Sequence, residues 1–167
     1  MTERPLVEVA DLHKRFGDLE VLKGIDFTAE SGTVTVLIGS SGSGKTTVLR
    51  SLNGLEVPET GRVRIGEVAL DFERRPGKRE LGRLRGQSAM VFQAHNLFPH
   101  LSVLENVMLG PTVVQGRPEA EVRTEALGLL ERVGLSSKAE QHPFQLSGGQ
   151  QQRGGIEIGR ASCRERV

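Results

Sequence analysis

Apolar and polar positions change period along this chain, and the change divides it. In the first part, Leu6–Val9 and Val21–Phe27 carry the β-branched and apolar residues of strands. Thr33–Ile38 is apolar almost throughout, as suits a strand buried on both faces. It runs directly into glycines, after which Val48, Leu49 and Leu52 recur at helical spacing until Asn53 and Gly54 close the helix. Gly61–Phe72 reads as a further β-rich piece and Ala89–Phe92 as a second apolar strand, with ERRPGKRELGRLRG between them read as a solvated basic loop. Beyond this the period becomes helical. Ser102 and Glu105 form an S-x-x-E capping box ahead of Val107, Met108 and Leu109. Val122, Ala126, Leu129, Leu130 and Val133 mark an amphipathic helix over Pro118–Val133, with Pro118 in its first turn and Gly134 at its exit. Another glycine-rich helix start stands at Ser147, and no internal repeat is found. The pattern predicts an α/β fold.

Composition narrows the class. The 167 residues suffice for one domain with a modest core, and 37% hydrophobic with 26% charged residues fits a globular chain. No apolar run approaches the roughly 20 residues that cross a bilayer. MTERPLVEVADL lacks a signal-peptide core, so a cytosolic domain is expected, reaching a membrane only through a partner. A formal net charge of +1 gives no nucleic-acid or membrane-surface footprint. Cys163 is the only cysteine, which excludes a disulfide framework or a cysteine metal cluster. His13, His95, His100 and His142 are scattered and read as surface or loop histidines.

Gly39-Ser40-Ser41-Gly42-Ser43-Gly44-Lys45-Thr46 is a complete G-x-x-x-x-G-K-[ST] loop between a predicted strand and a predicted helix. Glycines let the backbone turn several N–H groups toward phosphate oxygens, and the helix N-terminus adds positive potential. Lys45 is placed for the β- and γ-phosphates and the Thr46 hydroxyl for Mg²⁺, with Thr47 completing the cradle. The loop alone does not select among kinases, GTPases and other ATPases. A second segment, Leu146-Ser147-Gly148-Gly149-Gln150-Gln151-Gln152-Arg153, combines an S-x-x-Q capping box with two glycines that open the helix start to an anion. By its residues alone it reads equally well as an ordinary capped helix.

Together the two segments resemble the ABC ATPase family over about residues 5–156: LSGGQ is that family's signature and follows a Walker A loop at the usual distance. Gln93, in MVFQ, stands where the family has its Q-loop glutamine. Phe16, in KRFG, stands where it has the aromatic that stacks on adenine, though as a residue it reads equally as a core Phe. FQAHNLFPHLSVLENVMLGP, LNGLEVPETGRV and HPFQLSGGQQQR look most like importers of polar amino acids, with His142 where Tyr is commoner. Lipoprotein-release ATPases have similar segments, and soluble non-transport ABC proteins are the other alternative.

The resemblance implies a P-loop NTPase with an N-terminal antiparallel β subdomain and a helical subdomain carrying the signature. It implies ATP and Mg²⁺ as ligands, with Ser147, Gly148, Gly149 and Gln150 of one subunit facing the Walker A loop of another in a head-to-tail dimer. Gln93 would sense γ-phosphate, Mg²⁺ and water. The Gln93–Leu101 region, through Leu97, Phe98, Pro99 and Leu101, would receive a membrane permease at the cytoplasmic face, with no nucleic acid involved. The family's Walker B Asp, catalytic Glu and switch His are absent from this sequence. Val68–Glu73 ends an apolar run in Asp71 and Glu73 but precedes the Q-loop, where the family has a β-hairpin. The chain is therefore expected to be a truncated domain over 1–156, inactive alone, whose apolar Walker A strand and first-helix face lack their neighbours. Residues 157–167, EIGRASCRERV, match a translated sequencing-library adapter, so a non-native tail is expected there, with Ala native at 157.

Overall fold

Strand β1 (Val7–Phe16) lies between β2 (Leu19–Ala29) and β3 (Thr60–Ile65), and β4 (Val68–Asp71) completes an antiparallel sheet of order β2-β1-β3-β4. The structure is a computed structural model that describes residues 5–94 and 96–163; beyond position 159 only the backbone of residues 160, 162 and 163 is described. Two units result, Met1–Ser88 and Ala89–Val167.

In the first unit β1 is longer than its apolar pattern suggested, because Lys14 is drawn into the sheet by its partners rather than by hydrophobicity; Arg64 is held in β3 in the same way. Val9, Leu12, Leu22, Val63 and Phe72 form the core beneath it. The register of β1 breaks between Val9 and Leu12, where Asp11 takes φ 47° and its N–H donates to Asp26 Oδ1 at 2.9 Å. Gly61 faces this bulge at φ +100°; a Cβ there would collide with the Asp11 carbonyl and lie 2.7 Å from Leu12 Cα, so only glycine fits.

Helix α1 (Lys45–Leu52) follows the glycine loop and ends at Asn53, as expected. Its buried positions are Val48 and Ser51, however, while Leu49 faces outward. The predicted strands Thr33–Ile38 and Ala89–Phe92 do not form. Neither segment pairs with the four strands among the described residues, and an extended chain without a ladder partner is not a strand. Val34 and Ile38 are 90% and 91% exposed. The basic stretch is not a loop throughout. A 3₁₀ turn at Phe72–Arg74 leads into helix α2 (Lys78–Arg85), where Leu81 and Leu84 enter the core three residues apart and the charges face solvent. Two apolar residues among so many charges were enough to make an amphipathic helix.

The second unit is helical. Helix α3 (Val103–Leu109) starts at the predicted box: Glu105 N–H donates to Ser102 Oγ at 3.2 Å and Ser102 N–H to Glu105 Oε2 at 2.6 Å. Helix α4 (Glu119–Arg132) follows a π turn at Gly110–Val114, with Pro118 as its N-cap and Gly134 leaving at φ +68°. Helix α5 (Gly148–Cys163) packs on α3 and α4. Leu104, Val107, Ala126, Leu130 and Leu135 lie in the shared core. No described helix is long and apolar enough to cross a membrane.

Candidate nucleotide site

The glycine loop adopts the conformation its composition allows. Gly42 and Gly44 have φ +80° and +90°. A Cβ on Gly44 would lie 3.1 Å from Leu22 Cδ2 and 3.2 Å from Val21 Cγ1, so the loop rests directly on β2. A Cβ on Gly39 would lie 2.7 Å from Ser43 Oγ. Gly44 is also the N-cap of α1 and offers no side-chain acceptor, which leaves first-turn N–H groups available to an anion. Lys45 Nζ donates to Gly39 O at 2.9 Å, Ser40 O at 2.6 Å and Ser43 Oγ at 3.2 Å. The ammonium thus sits against its own loop, ready to exchange neutral acceptors for phosphate oxygens.

Ser43, Lys45, Thr46 and Thr47, with Val21 behind them, line a pocket of about 250 Å³. Thr46 is exposed there, and its hydroxyl suits a hard cation that also binds phosphate. Among the described residues no group of three or more His, Cys, Asp or Glu could hold a metal. Ser40 and Ser41 are exposed at the loop's tip. Phe16 belongs to the same unit and pairs across the hairpin with Leu19, two residues before Val21. It is 47% exposed and is not a core residue. Lys14 Nζ stands 5.2 Å from its ring centroid.

The signature segment and the Gln93 loop belong to the second unit. Ser147 N–H donates to Gln150 Oε1 at 2.9 Å, and Gln150 N–H reaches Ser147 Oγ at 3.4 Å. Gly148 and Gly149 are exposed, and a Cβ on either would meet nothing within 4 Å. Packing therefore does not demand these glycines, and the helix start stays open. Gln151 secures it, donating from Nε2 to Pro143 O at 2.9 Å and Leu146 O at 3.2 Å.

Gln93 is exposed at a bend. The loop after it exposes Phe98, whose ring meets His100 edge-on at 5.9 Å. This loop is held by Asn106, which belongs to no motif of the sequence. Asn106 is 2% exposed, accepts from Phe98 N–H at 2.7 Å, and donates to Phe98 O, Leu101 O and Ser102 O at 3.1, 3.2 and 2.9 Å. A polar residue inside an apolar helix was the available signal.

Asp71 accepts from Glu73 N–H at 3.1 Å and pairs with Arg62 at 3.3 Å, so it serves the β-hairpin. His13 is not a plain surface histidine. It is half-buried in β1 with Nε2 2.9 Å from Asp11 Oδ1 and Nδ1 3.2 Å from Glu20 Oε1. The hydrogen bonds to Glu20 and then Asp11 hold its pKa above the usual imidazole value. His142 stacks on Phe144 at 5.6 Å, and His95 lies outside the described residues.

Known proteins match this arrangement. The ABC transporter family model covers residues 22–166. The L-cystine import ATP-binding protein TcyC of Bacillus subtilis (strain 168) is 51% identical over 151 residues, 90% of this chain and 61% of that protein. The octopine permease ATP-binding protein P of Rhizobium radiobacter is 48% identical over 160 residues, 92% and 61% of the two chains. This chain thus spans about three fifths of the length of these curated relatives. Among solved structures, the dimeric post-hydrolysis state of the ATP-binding cassette MJ0796 bound to ADP and Pi has a TM-score of 0.79 at 33% identity, covering 93% of this chain and 69% of that one. CbiO1 from Clostridium perfringens has a TM-score of 0.82 at 28% identity, covering 96% and 62%. The glycine cradle around Lys45, the open signature helix and these matches lead to one conclusion: this chain belongs to the ABC transporter family, as a part of its ATP-binding domain.

Proposed function

We propose that this chain carries the ATP-binding part of a subunit that powers import of polar amino acids. The observation that carries the reading is the glycine loop seated on β2 with the Lys45 ammonium at its mouth. Loop N–H groups and Lys45 bind the phosphates, Thr46 contributes to Mg²⁺, and Phe16 stacks on the base. Ser147, Gly148, Gly149 and Gln150 receive the γ-phosphate of ATP held by a second subunit, so ATP closes a head-to-tail dimer. Gln93 reports the state of that phosphate to the Leu97–Leu101 loop, which docks a permease at the cytoplasmic face of the membrane. The names of the relatives, cystine and octopine systems among them, support an amino-acid cargo.

Bound Mg²⁺ would neutralise charge developing between the β- and γ-phosphates. The residues named above bind and orient the nucleotide, and on this reading the chain by itself holds ATP without turning it over.

The test uses the 167-residue chain and a chimera in which residues 1–156 are continued by the C-terminal portion of TcyC. ATP binding is followed by titration, dimerisation by size exclusion and turnover by phosphate release. Lys45→Ala should abolish tight binding in both proteins. Ser147→Arg should leave binding to the monomer intact and block the ATP-driven dimer of the chimera. Equal loss of monomer binding from both substitutions would refute the head-to-tail arrangement, and turnover by the chain alone would refute the division between binding and catalysis.

A further inference from the structure

Lys14 is a nearly buried lysine, 9% exposed, two residues before the base-stacking candidate on β1. Lysines are rarely buried without a paired role. Here the ammonium is fully engaged: it donates to Val57 O at 2.7 Å and Glu59 Oε1 at 3.1 Å, and Glu56 Oε1 lies at 3.3 Å. These three oxygens match the three donors of an ammonium and fix it in space. The same segment grips the strand a second time, because the other oxygen of Glu59 accepts from Arg15 N–H at 2.8 Å and Glu59 N–H donates to His13 O at 3.1 Å. Burial works to raise the Glu59 pKa, but the Arg15 N–H and Lys14 outweigh it and hold the carboxyl below its ordinary value, so the clamp stays charged at neutral pH.

A cation 5.2 Å from a ring centroid is within the range of attraction to the ring's negative face. We infer that Lys14 is a positioning residue for the nucleobase: anchored by Val57, Glu56 and Glu59, it covers one face of Phe16 and presents the other to a purine. This rests on the proposal that Phe16 receives the base. Its consequences differ from those of a structural ion pair. A cation on one face withdraws π density from the ring, which strengthens stacking of an electron-rich purine on the opposite face. It also orders an otherwise exposed ring before the nucleotide arrives, which lowers the entropy lost on binding. Neither effect reaches the phosphates, which Lys45 and the loop hold independently.

The decisive comparison is ATP against inorganic tripolyphosphate, which shares the phosphates and lacks the base. It is made by titration on the full chain and repeated on the chimera, with wild type, Lys14→Met, Lys14→Arg, Phe16→Ala and the Lys14→Met/Phe16→Ala double variant. Lys14→Met should weaken ATP binding by about two- to fivefold, the value of an exposed to partly buried cation–π contact. Tripolyphosphate binding should stay unchanged, and Lys14→Arg should restore most of the ATP affinity. In the Phe16→Ala background Lys14→Met should have no further effect. Parallel loss of both ligands, no loss of either, or an undiminished Lys14 effect without Phe16 would overturn the inference while leaving the nucleotide site intact. A wild-type protein that bound neither ligand in either form would overturn the nucleotide reading and this inference with it.

Discussion

Replacing Asn106 with Ala should release the loop at Leu97–Leu101 while leaving the helical core in place. The side-chain amide contacts four backbone groups at 2.7 to 3.2 Å. Its Nδ2 has only two hydrogens for three acceptors, so the number of full-strength bonds is three, not four. At roughly 0.5–1.5 kcal/mol net for each, with the Phe98 N–H left without its acceptor, the loss is about 2–4 kcal/mol. That is a large share of the roughly 5–15 kcal/mol by which domains are stable, but it acts on a loop that can open locally. Hydrogen exchange of the chimera reads this directly: protection of the Phe98 amide should fall by about 30- to 700-fold, since about 1.4 kcal/mol corresponds to tenfold. Amides within α4, whose Leu129 and Leu130 remain buried, should change far less. Exchange at Phe98 within threefold of wild type would show that this loop is held by something other than Asn106.

Two further outcomes follow from local geometry and a third from the sequence. Gly61→Ala should destabilise the first unit by about 3 kcal/mol or more, because φ +100° and the Asp11–Leu12 backbone both exclude a Cβ; a urea midpoint equal to that of wild type would contradict the close approach. His13 has a folded pKa above its ordinary 6.5, so its contribution is fully present below pH 6.5 and is lost as pH rises through the folded value. Melting of the protein should therefore decline over that window, and His13→Gln should flatten the dependence; an unchanged profile in the variant would assign it elsewhere. Because residues 157–167 match a translated sequencing-library adapter, resequencing the gene should give Ala at 157; clean genomic DNA encoding EIGRASCRERV would dismiss the adapter reading.

The shape of the glycine loop was legible in the sequence because it is set by residues adjacent in the chain. Gly42, Gly44, Lys45 and Thr46 act through backbone torsions and a short reach, and Ser102–Glu105 and Ser147–Gln150 close their capping boxes within four residues. The helices α3 and α4 were legible for the same reason: their apolar stripes face one core. Strands are different, because a strand exists only through its neighbours. Thr33–Ile38 has the residues of a buried strand yet forms none, and Val34 and Ile38 are exposed, whereas Lys14, with no apolar character, is buried in β1 because oxygens 42 to 45 residues further on receive it. Asn106, the Asp11–Gly61 approach and the pairing of His13 with Glu20 belong to the same class. Sequence determined which groups could bind phosphate, since that depends on residues adjacent in the chain. Only tertiary structure decided which polar side chains became buried clamps, since the partners that offset their desolvation come from distant segments.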